Sequence, residues 1–163
     1  MDNQSALRQQ LVENLRGGNA HTDFAEAIKD FPAELRGKRP QGSPHSPWEL
    51  LEHMRIAQWD ILEFSRNPDH VSPSFPDGYW PTDPEPPDDK AWDRSVNGFC
   101  TDLHSLCLLI ADETTDLLTR IPHGSGQTIL REALVAADHN SYHLGQFLLL
   151  RRMLGAWNVT TGT

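Results

Sequence analysis

The sequence predicts an all-α protein, a bundle of four main helices that forms a single domain over residues 1–163. Apolar residues recur at every third or fourth position in four long segments, which is the spacing of one face of an α-helix. Glycine, proline and helix-capping residues separate these segments. No segment alternates apolar and polar residues over the length of a strand, so we expect no β-sheet.

The first main helix is predicted over residues 4–16, where leucines recur at a spacing of four. Gly17 and Gly18 follow it, and glycine is the usual residue just past a helix end. A shorter helix is predicted from Asp23, because "DFAE" offers an N-cap and a glutamate three residues later. Pro32 should end this short helix, since proline disfavours helical backbone at the residue before it.

The second main helix has the clearest start signal in the chain. In "SPWE", Ser46 is placed to cap the helix, Pro47 suits its first position, and Glu49 completes a capping box. The helix is predicted to run to about Arg66. Its apolar seam consists of Leu50, Met54, Ala57, Ile61 and Phe64.

Residues 67–90 interrupt the helical pattern with a proline-rich loop that holds seven of the chain's 12 prolines. Loops of this length are uncommon in compact domains unless they have a function or are disordered. A connection this long can cross a bundle, so consecutive helices need not be antiparallel neighbours. We therefore expect a crossover between the second and third main helices.

The third main helix is predicted from near Asp89 to Arg120, and the fourth from about Thr128 to Leu154. The third helix carries an apolar stripe made of Trp92, Val96, Phe99, Leu103, Leu106, Ile110 and Leu117. Glu113 interrupts this stripe. It is either a buried acid that needs a partner or a sign that the stripe rotates around a straight helix, and we favour the rotation.

The charge balance and the hydropathy exclude two classes of partner. The net charge is −9, from 14 basic and 23 acidic residues, and no cluster of lysine and arginine offers a surface for nucleic acid. No apolar run approaches the roughly 20 residues of a membrane span. The N-terminal stretch "MDNQSALRQQ" lacks the apolar core of a secretory signal, so we expect a soluble, cytoplasmic protein.

The stretch "ADHNSYHLGQ" places His139 and His143 one helical turn apart. With eight histidines in the chain, the spacing of this pair alone favours the simpler interpretation of one surface histidine and one satisfied core histidine. However, His143 and Asn140 fall in the apolar seam of their helix, where a polar group is costly unless something satisfies it. His53 lies on the flank of the second helix's seam, so one ligand shared between the two helices explains all three histidines. Three neutral imidazoles would leave a divalent cation with an open position, as in catalytic sites.

Two motifs carry a resemblance that covers nearly the whole chain. The segment "HSPWELLEHMRIAQWDILEF", followed later by "DHNSYHLGQFLLLRR", resembles the DinB-like superfamily of the DinB/YfiT type. The resemblance implies a four-helix bundle with a crossover topology, in which three histidines hold a divalent metal, most often nickel or zinc. Carried over residue by residue, it implies the ligands His53, His139 and His143. It also implies a homodimer and a small-molecule substrate.

The resemblance further implies a kind of activity. Characterised members of the superfamily are thiol-dependent S-transferases and isomerases that use a low-molecular-weight thiol such as bacillithiol or mycothiol. The physical reason is that a bound cation deprotonates a thiol at neutral pH, and the thiolate is the nucleophile. Two alternatives remain open: a metal-stabilised, stress-related binding or scaffold protein without catalysis, and a hydrolase that uses metal-bound hydroxide.

Four further residues are weaker candidates for contact with the metal ligands or the substrate: Asn140, Glu52, Tyr79 and Trp80. Asn140 and Glu52 adjoin predicted ligands in the sequence. Tyr79 and Trp80, in "FPDGYWP", could form a lid over the site, because binding groups concentrate on loops held by a rigid scaffold. We favour the simpler interpretation that they pack the loop onto the bundle.

The other histidines are interpreted as surface or loop residues. His45 precedes the cap of the second main helix and could reach the rim of a pocket, but a surface position is the favoured interpretation. His70 lies in the proline-rich loop. We therefore assign neither of them a role.

Overall fold

The computed structural model describes residues 2–157 and contains no β-strand within them. This part of the chain forms five α-helices, namely α1 Asn3–Arg16, α2 Phe24–Ile28, α3 Pro47–Arg66, α4 Ala91–Ala111 and α5 Ile129–Met153. Two 3₁₀ turns, Ala33–Leu35 and Asp77–Tyr79, lie in the connections. None of these helices is both long and apolar enough to cross a membrane. The prediction of an all-α protein with four main helices is confirmed, and α2 is the predicted shorter helix.

The predicted start of α3 is confirmed by its hydrogen bonds. The Ser46 hydroxyl accepts the Glu49 N–H at 3.2 Å, and the Glu49 carboxylate accepts the Ser46 N–H at 2.7 Å. Pro47 occupies the first turn, where its missing N–H costs nothing. Ser46 also donates its hydroxyl hydrogen to the Pro84 carbonyl at 2.6 Å, which ties the start of α3 to the loop 67–90.

Two clusters of buried apolar residues show the directions in which the helices run. The first halves of α3 and α4 share one cluster with the second half of α5. The second halves of α3 and α4 share the other cluster with α1 and the first half of α5. Therefore α3 and α4 are parallel, and α5 is antiparallel to both. A chain that leaves the end of α3 must return along the bundle before it begins α4, so the loop 67–90 is the predicted crossover.

α4 is shorter than the sequence predicts, since it ends at Ala111 rather than at Arg120. The Asp112 carboxylate accepts the Thr114 N–H at 2.8 Å, a local bond that competes with a further helical turn. Leu117 is still buried, but it reaches the core from a loop. The prediction was wrong because the apolar spacing continues past the true end of the helix.

Arg8 of α1 makes hydrogen bonds at the C-terminal end of α4. The Arg8 guanidinium donates hydrogen bonds to the carbonyls of Ile110 and Thr115, at 2.7 and 2.6 Å. Carbonyls in the last turn of a helix have no partner within the helix, so these bonds stabilise its end. Glu113 lies beyond the helix and is exposed, so both interpretations of it, the buried acid and the rotating stripe, were wrong.

The Glu49 carboxylate connects the start of α3 to Arg39. Its oxygens accept hydrogen bonds from the Arg39 guanidinium and from the Ser46 N–H. Burial raises the pKa of Glu49, but the bonds from Arg39 and Ser46 outweigh burial, so its pKa lies below the usual 4.5. A carboxyl group with a depressed pKa in the folded state stabilises the fold only while it is ionised.

We expect Glu49→Gln to lower the free energy of unfolding by about 1.5–3 kcal/mol near neutral pH, the usual range for a hydrogen bond to a charged group. This contribution is fully present above the unfolded-state pKa, near 4.5, and is lost as the pH falls through the lower pKa of the folded state. Urea denaturation of both proteins should therefore show the difference shrinking in acid. A difference that stays constant from neutral to strongly acidic pH would contradict this account.

Candidate metal centre

Three histidine side chains from two antiparallel helices meet inside the bundle. His53 lies on α3, and His139 and His143 lie one turn apart on α5. The His53 Nε2 atom is 3.0 Å from His139 Nε2 and 3.1 Å from His143 Nε2. His53 and His143 are each 8% exposed, and His139 is half-buried. The structure thus brings together the three residues that the sequence analysis selected as ligands.

Hydrogen bonds on the far side of two imidazoles fix which nitrogen faces the centre of the cluster. His53 Nδ1–H donates to the main-chain carbonyl of Tyr79 at 2.9 Å. His143 Nδ1–H donates to Gln146 Oε1 at 2.8 Å. A neutral imidazole carries hydrogen on only one nitrogen, so both Nε2 atoms present lone pairs. These two lone pairs repel each other at 3.1 Å unless a positive charge lies between them.

All three imidazoles are held in the neutral form near pH 7. Burial is the main cause, because it lowers the pKa of His139 to about 3 and the pKa of His53 to about 4. The Tyr79 carbonyl opposes burial at His53, whereas the neighbouring imidazoles lower the pKa of both His53 and His139 further. Burial also lowers the pKa of His143. Neutral imidazole is the form that binds metal ions.

The donor set fits a divalent transition metal. With metal–nitrogen bonds of about 2.0–2.1 Å, two nitrogen ligands of a tetrahedral site lie about 3.3 Å apart. The separations of 3.0 and 3.1 Å between Nε2 atoms are close to this value. In addition, His139 Nδ1 is buried without a hydrogen-bond partner in the described part of the chain. The cluster could therefore hold one ion, although imidazole ligands alone suit zinc, nickel, copper and iron alike.

The loop 67–90 covers one side of the cluster. The Trp80 ring stacks on His53, with ring centroids 3.8 Å apart and an angle of 2° between the planes. His45 also stacks on Trp80, at 4.1 Å and 11°. His45 is half-buried by this contact, so its favoured interpretation as a surface residue was wrong. Trp80 packs the loop onto the bundle, as the favoured interpretation expects. Because it does so at His53, the same contact also covers the histidine cluster, as the lid interpretation expects.

Asp60 of α3 anchors the same loop. Its Oδ2 atom accepts the Tyr79 hydroxyl, and its Oδ1 atom accepts His70 Nε2–H, both at 2.7 Å. Burial and, after it, the Asp60 carboxylate raise the pKa of Tyr79 to about 12, so the hydroxyl keeps its hydrogen. His70 lies in the loop, as expected, but its side chain is only 6% exposed and so is not at the surface.

Asn140 and Glu52 join the helices around the cluster. Asn140 Nδ2 donates to Oε1 of the buried Gln58 at 2.7 Å, which connects α5 to α3. Glu52 accepts hydrogen bonds from the Arg55 guanidinium at 2.6 and 2.9 Å, and from the Ser95 hydroxyl at 2.7 Å. The Glu52 carboxylate therefore links α3 to α4 and makes no described hydrogen bond to the three histidines.

The fold and the cluster together define the class of protein: an all-α bundle with a crossover connection and a three-histidine centre in its core. The family model of the DinB superfamily matches residues 19–147, and the chain belongs to this superfamily. The match begins after α1 and includes all three histidines. No curated protein and no solved structure matches the chain.

Proposed function

We propose that the protein is a metal-dependent enzyme whose His53, His139 and His143 bind one divalent cation, nickel or zinc. The observation that carries the proposal is the convergence of three neutral imidazoles in a largely buried cluster. One cation can satisfy three imidazole lone pairs at once, which no neutral neighbour in the cluster can do. Membership of the DinB superfamily supports the same assignment.

The number of ligands favours an enzyme over a structural metal site. Structural sites close a four-coordinate sphere with protein ligands, whereas catalytic sites leave a position open. Within residues 2–157, no cysteine, carboxylate or fourth histidine joins the three histidines. A metal-stabilised, stress-related scaffold protein without catalysis is therefore the weaker alternative.

A divalent cation at this centre would supply a Lewis acid for a small thiol or a water molecule. The chain's own residues orient and shield the centre: Gln146 and the Tyr79 carbonyl hold two ligands in place, and Trp80 covers a ring face of His53. We infer a low-molecular-weight thiol as the cosubstrate and an electrophilic small molecule as the substrate of an S-transfer or isomerisation. This choice follows the thiol-dependent members of the superfamily. A hydrolase that activates water would use the same ligands and is the alternative.

Metal content tests the ligand assignment. Protein purified without a His-tag should contain about one equivalent of divalent metal per chain. His143→Ala should lose most of it, because loss of a direct ligand costs more than the roughly 10–100-fold typical of an orienting partner. His104→Ala is the matched control, since His104 is exposed on α4 and lies outside the cluster. Equal and negligible metal in the wild type and in His143→Ala would refute the assignment.

A panel of thiols and electrophiles separates the proposed reactions. Turnover should require both a low-molecular-weight thiol and the metal, so stripping the metal with a chelator should abolish it. Hydrolysis of ester or amide substrates without any thiol would instead favour the hydrolase. Metal that raises the unfolding temperature but supports no turnover would favour the scaffold.

We also propose a homodimer, in which an exposed face of α5 packs against the same face of a second copy. Large apolar side chains on this face are 48–63% exposed: Leu134, Tyr142, Leu149 and Met153. Gly145 lies among them, with open space where a Cβ atom would be, which allows a close approach of two helices. Asp138 and Arg152 are exposed and lie equally far from Gly145 along the helix. A two-fold axis at Gly145 would therefore pair each Asp138 with Arg152 of the second copy.

Light scattering after size exclusion tests the dimer. The wild type should have twice the 18.4 kDa mass of one chain. Leu149→Glu should be monomeric, because it places an unpaired charge in the interface. Leu108→Glu is the matched control, since Leu108 is equally exposed, at 57%, but lies on α4. A monomeric wild type at micromolar concentration would show that this face does not pair.

A further inference from the structure

Asp60 and His53 lie on the same face of α3. They are seven residues apart, which is two helical turns. Both oxygens of the Asp60 carboxylate bind the loop 67–90, one through His70 and the other through the Tyr79 hydroxyl. The Asp60 and His70 side chains are 13% and 6% exposed, so the carboxylate fixes the loop at two points that are shielded from water.

Tyr79 connects this anchor to the histidine cluster. Its hydroxyl binds Asp60, and its main-chain carbonyl accepts His53 Nδ1–H at 2.9 Å. The next residue, Trp80, stacks on the His53 ring. A loop without anchors would spread over many backbone conformations and would rarely present both groups to His53. The place of the Tyr79 carbonyl therefore depends on Asp60.

The Tyr79 carbonyl determines which nitrogen of His53 is free. Because it accepts the hydrogen of Nδ1, the Nε2 lone pair is left to point at His139 and His143. Acceptors of this kind fix the tautomer and the ring orientation of histidines that bind metals. Removal of such an acceptor typically weakens metal binding about 10–100-fold.

We propose that Asp60 is a positioning residue for the histidine centre. Through His70 and Tyr79 it holds the loop 67–90 in the one arrangement that keeps His53 in its Nδ1–H tautomer. The consequence for metal affinity rests on the proposed function. The consequence for the tautomer does not, because the hydrogen bond to Tyr79 is made by the protein alone.

The tautomer of His53 is measurable in metal-free protein by nitrogen NMR of histidine-labelled samples. The wild type should show only the Nδ1–H form. Asp60→Asn should show both tautomers, because the amide has one acceptor oxygen in place of two and lacks the negative charge that strengthens both bonds to the loop. The matched control is Glu63→Gln, which removes an ion pair with Arg66 on the same helix and whose side chain makes no described hydrogen bond to the loop. A single Nδ1–H tautomer in Asp60→Asn would overturn the proposal.

Tyr79→Phe provides a second variant that keeps the ring and the main-chain carbonyl and removes the hydroxyl that binds Asp60. It should show the same mixture of tautomers. If circular dichroism shows that Asp60→Asn does not fold, the result for Tyr79→Phe decides in its place. A Tyr79→Phe protein with the wild-type tautomer would then overturn the proposal.

Competition with a chromophoric chelator measures the effect on metal affinity. Zinc and nickel should bind Asp60→Asn on the order of tenfold more weakly than the wild type, and Glu63→Gln should bind like the wild type. Unchanged metal affinity in Asp60→Asn would overturn the proposal that Asp60 supports metal binding. A wild type that binds neither metal would refute the proposed function, whereas a shifted tautomer in Asp60→Asn would still support the positioning role.

Discussion

The site depends on one constraint: three neutral imidazoles share a small and largely buried volume. Burial lowers their pKa values and so disfavours the protonated forms that could relieve the contact. Two of the rings are already hydrogen-bonded through Nδ1, to Tyr79 and to Gln146, which directs their Nε2 lone pairs inward. Polar groups buried in this state are costly unless something satisfies them, and apolar side chains would fill the same positions at no such cost. The cost of leaving these groups unsatisfied therefore favours ligand binding over packing as the reason for the cluster.

The topology of the bundle explains how the cluster is assembled and covered. Because α5 is antiparallel to α3, one turn of α5 places His139 and His143 against His53. Because α4 is parallel to α3, the chain must cross back between them, and the crossover follows the face of α3 that carries His53 and Asp60. The connection that the topology requires thus supplies the carbonyl and the indole that contact His53. The ligands come from packed helices, whereas the groups that orient and cover one of them come from a loop.

Features that repeat along a helix could be predicted from the sequence, and features that depend on distant contacts could not. The spacing of His139 and His143 and the place of His143 in an apolar seam are local, and together with His53 and the family resemblance they selected the three histidines. The end of α4 was missed because the apolar spacing continues to Leu117, which is buried by tertiary contacts although it lies beyond the helix. The burial of the His70 side chain was not predicted, because nothing in a proline-rich segment indicates where the loop will lie. Gln146 was within reach of prediction, since residues three apart on a helix are neighbours.

The histidines lie on helices and the groups that cover them lie on a loop, and this division of roles affects how the specificity of the centre can change. Three side chains on packed helices would fix the position of a bound cation, since closely packed elements change position little. The only regular secondary structure in the loop 67–90 is one short 3₁₀ turn. Loops accept substitution more readily than helices do. An exposed side chain between the anchors at His70 and Tyr79, such as Phe75, which is 88% exposed, can therefore vary without moving one of the three histidines. Under the proposed function, changes in the loop would alter access to the centre, whereas the three histidines themselves are placed by the helices.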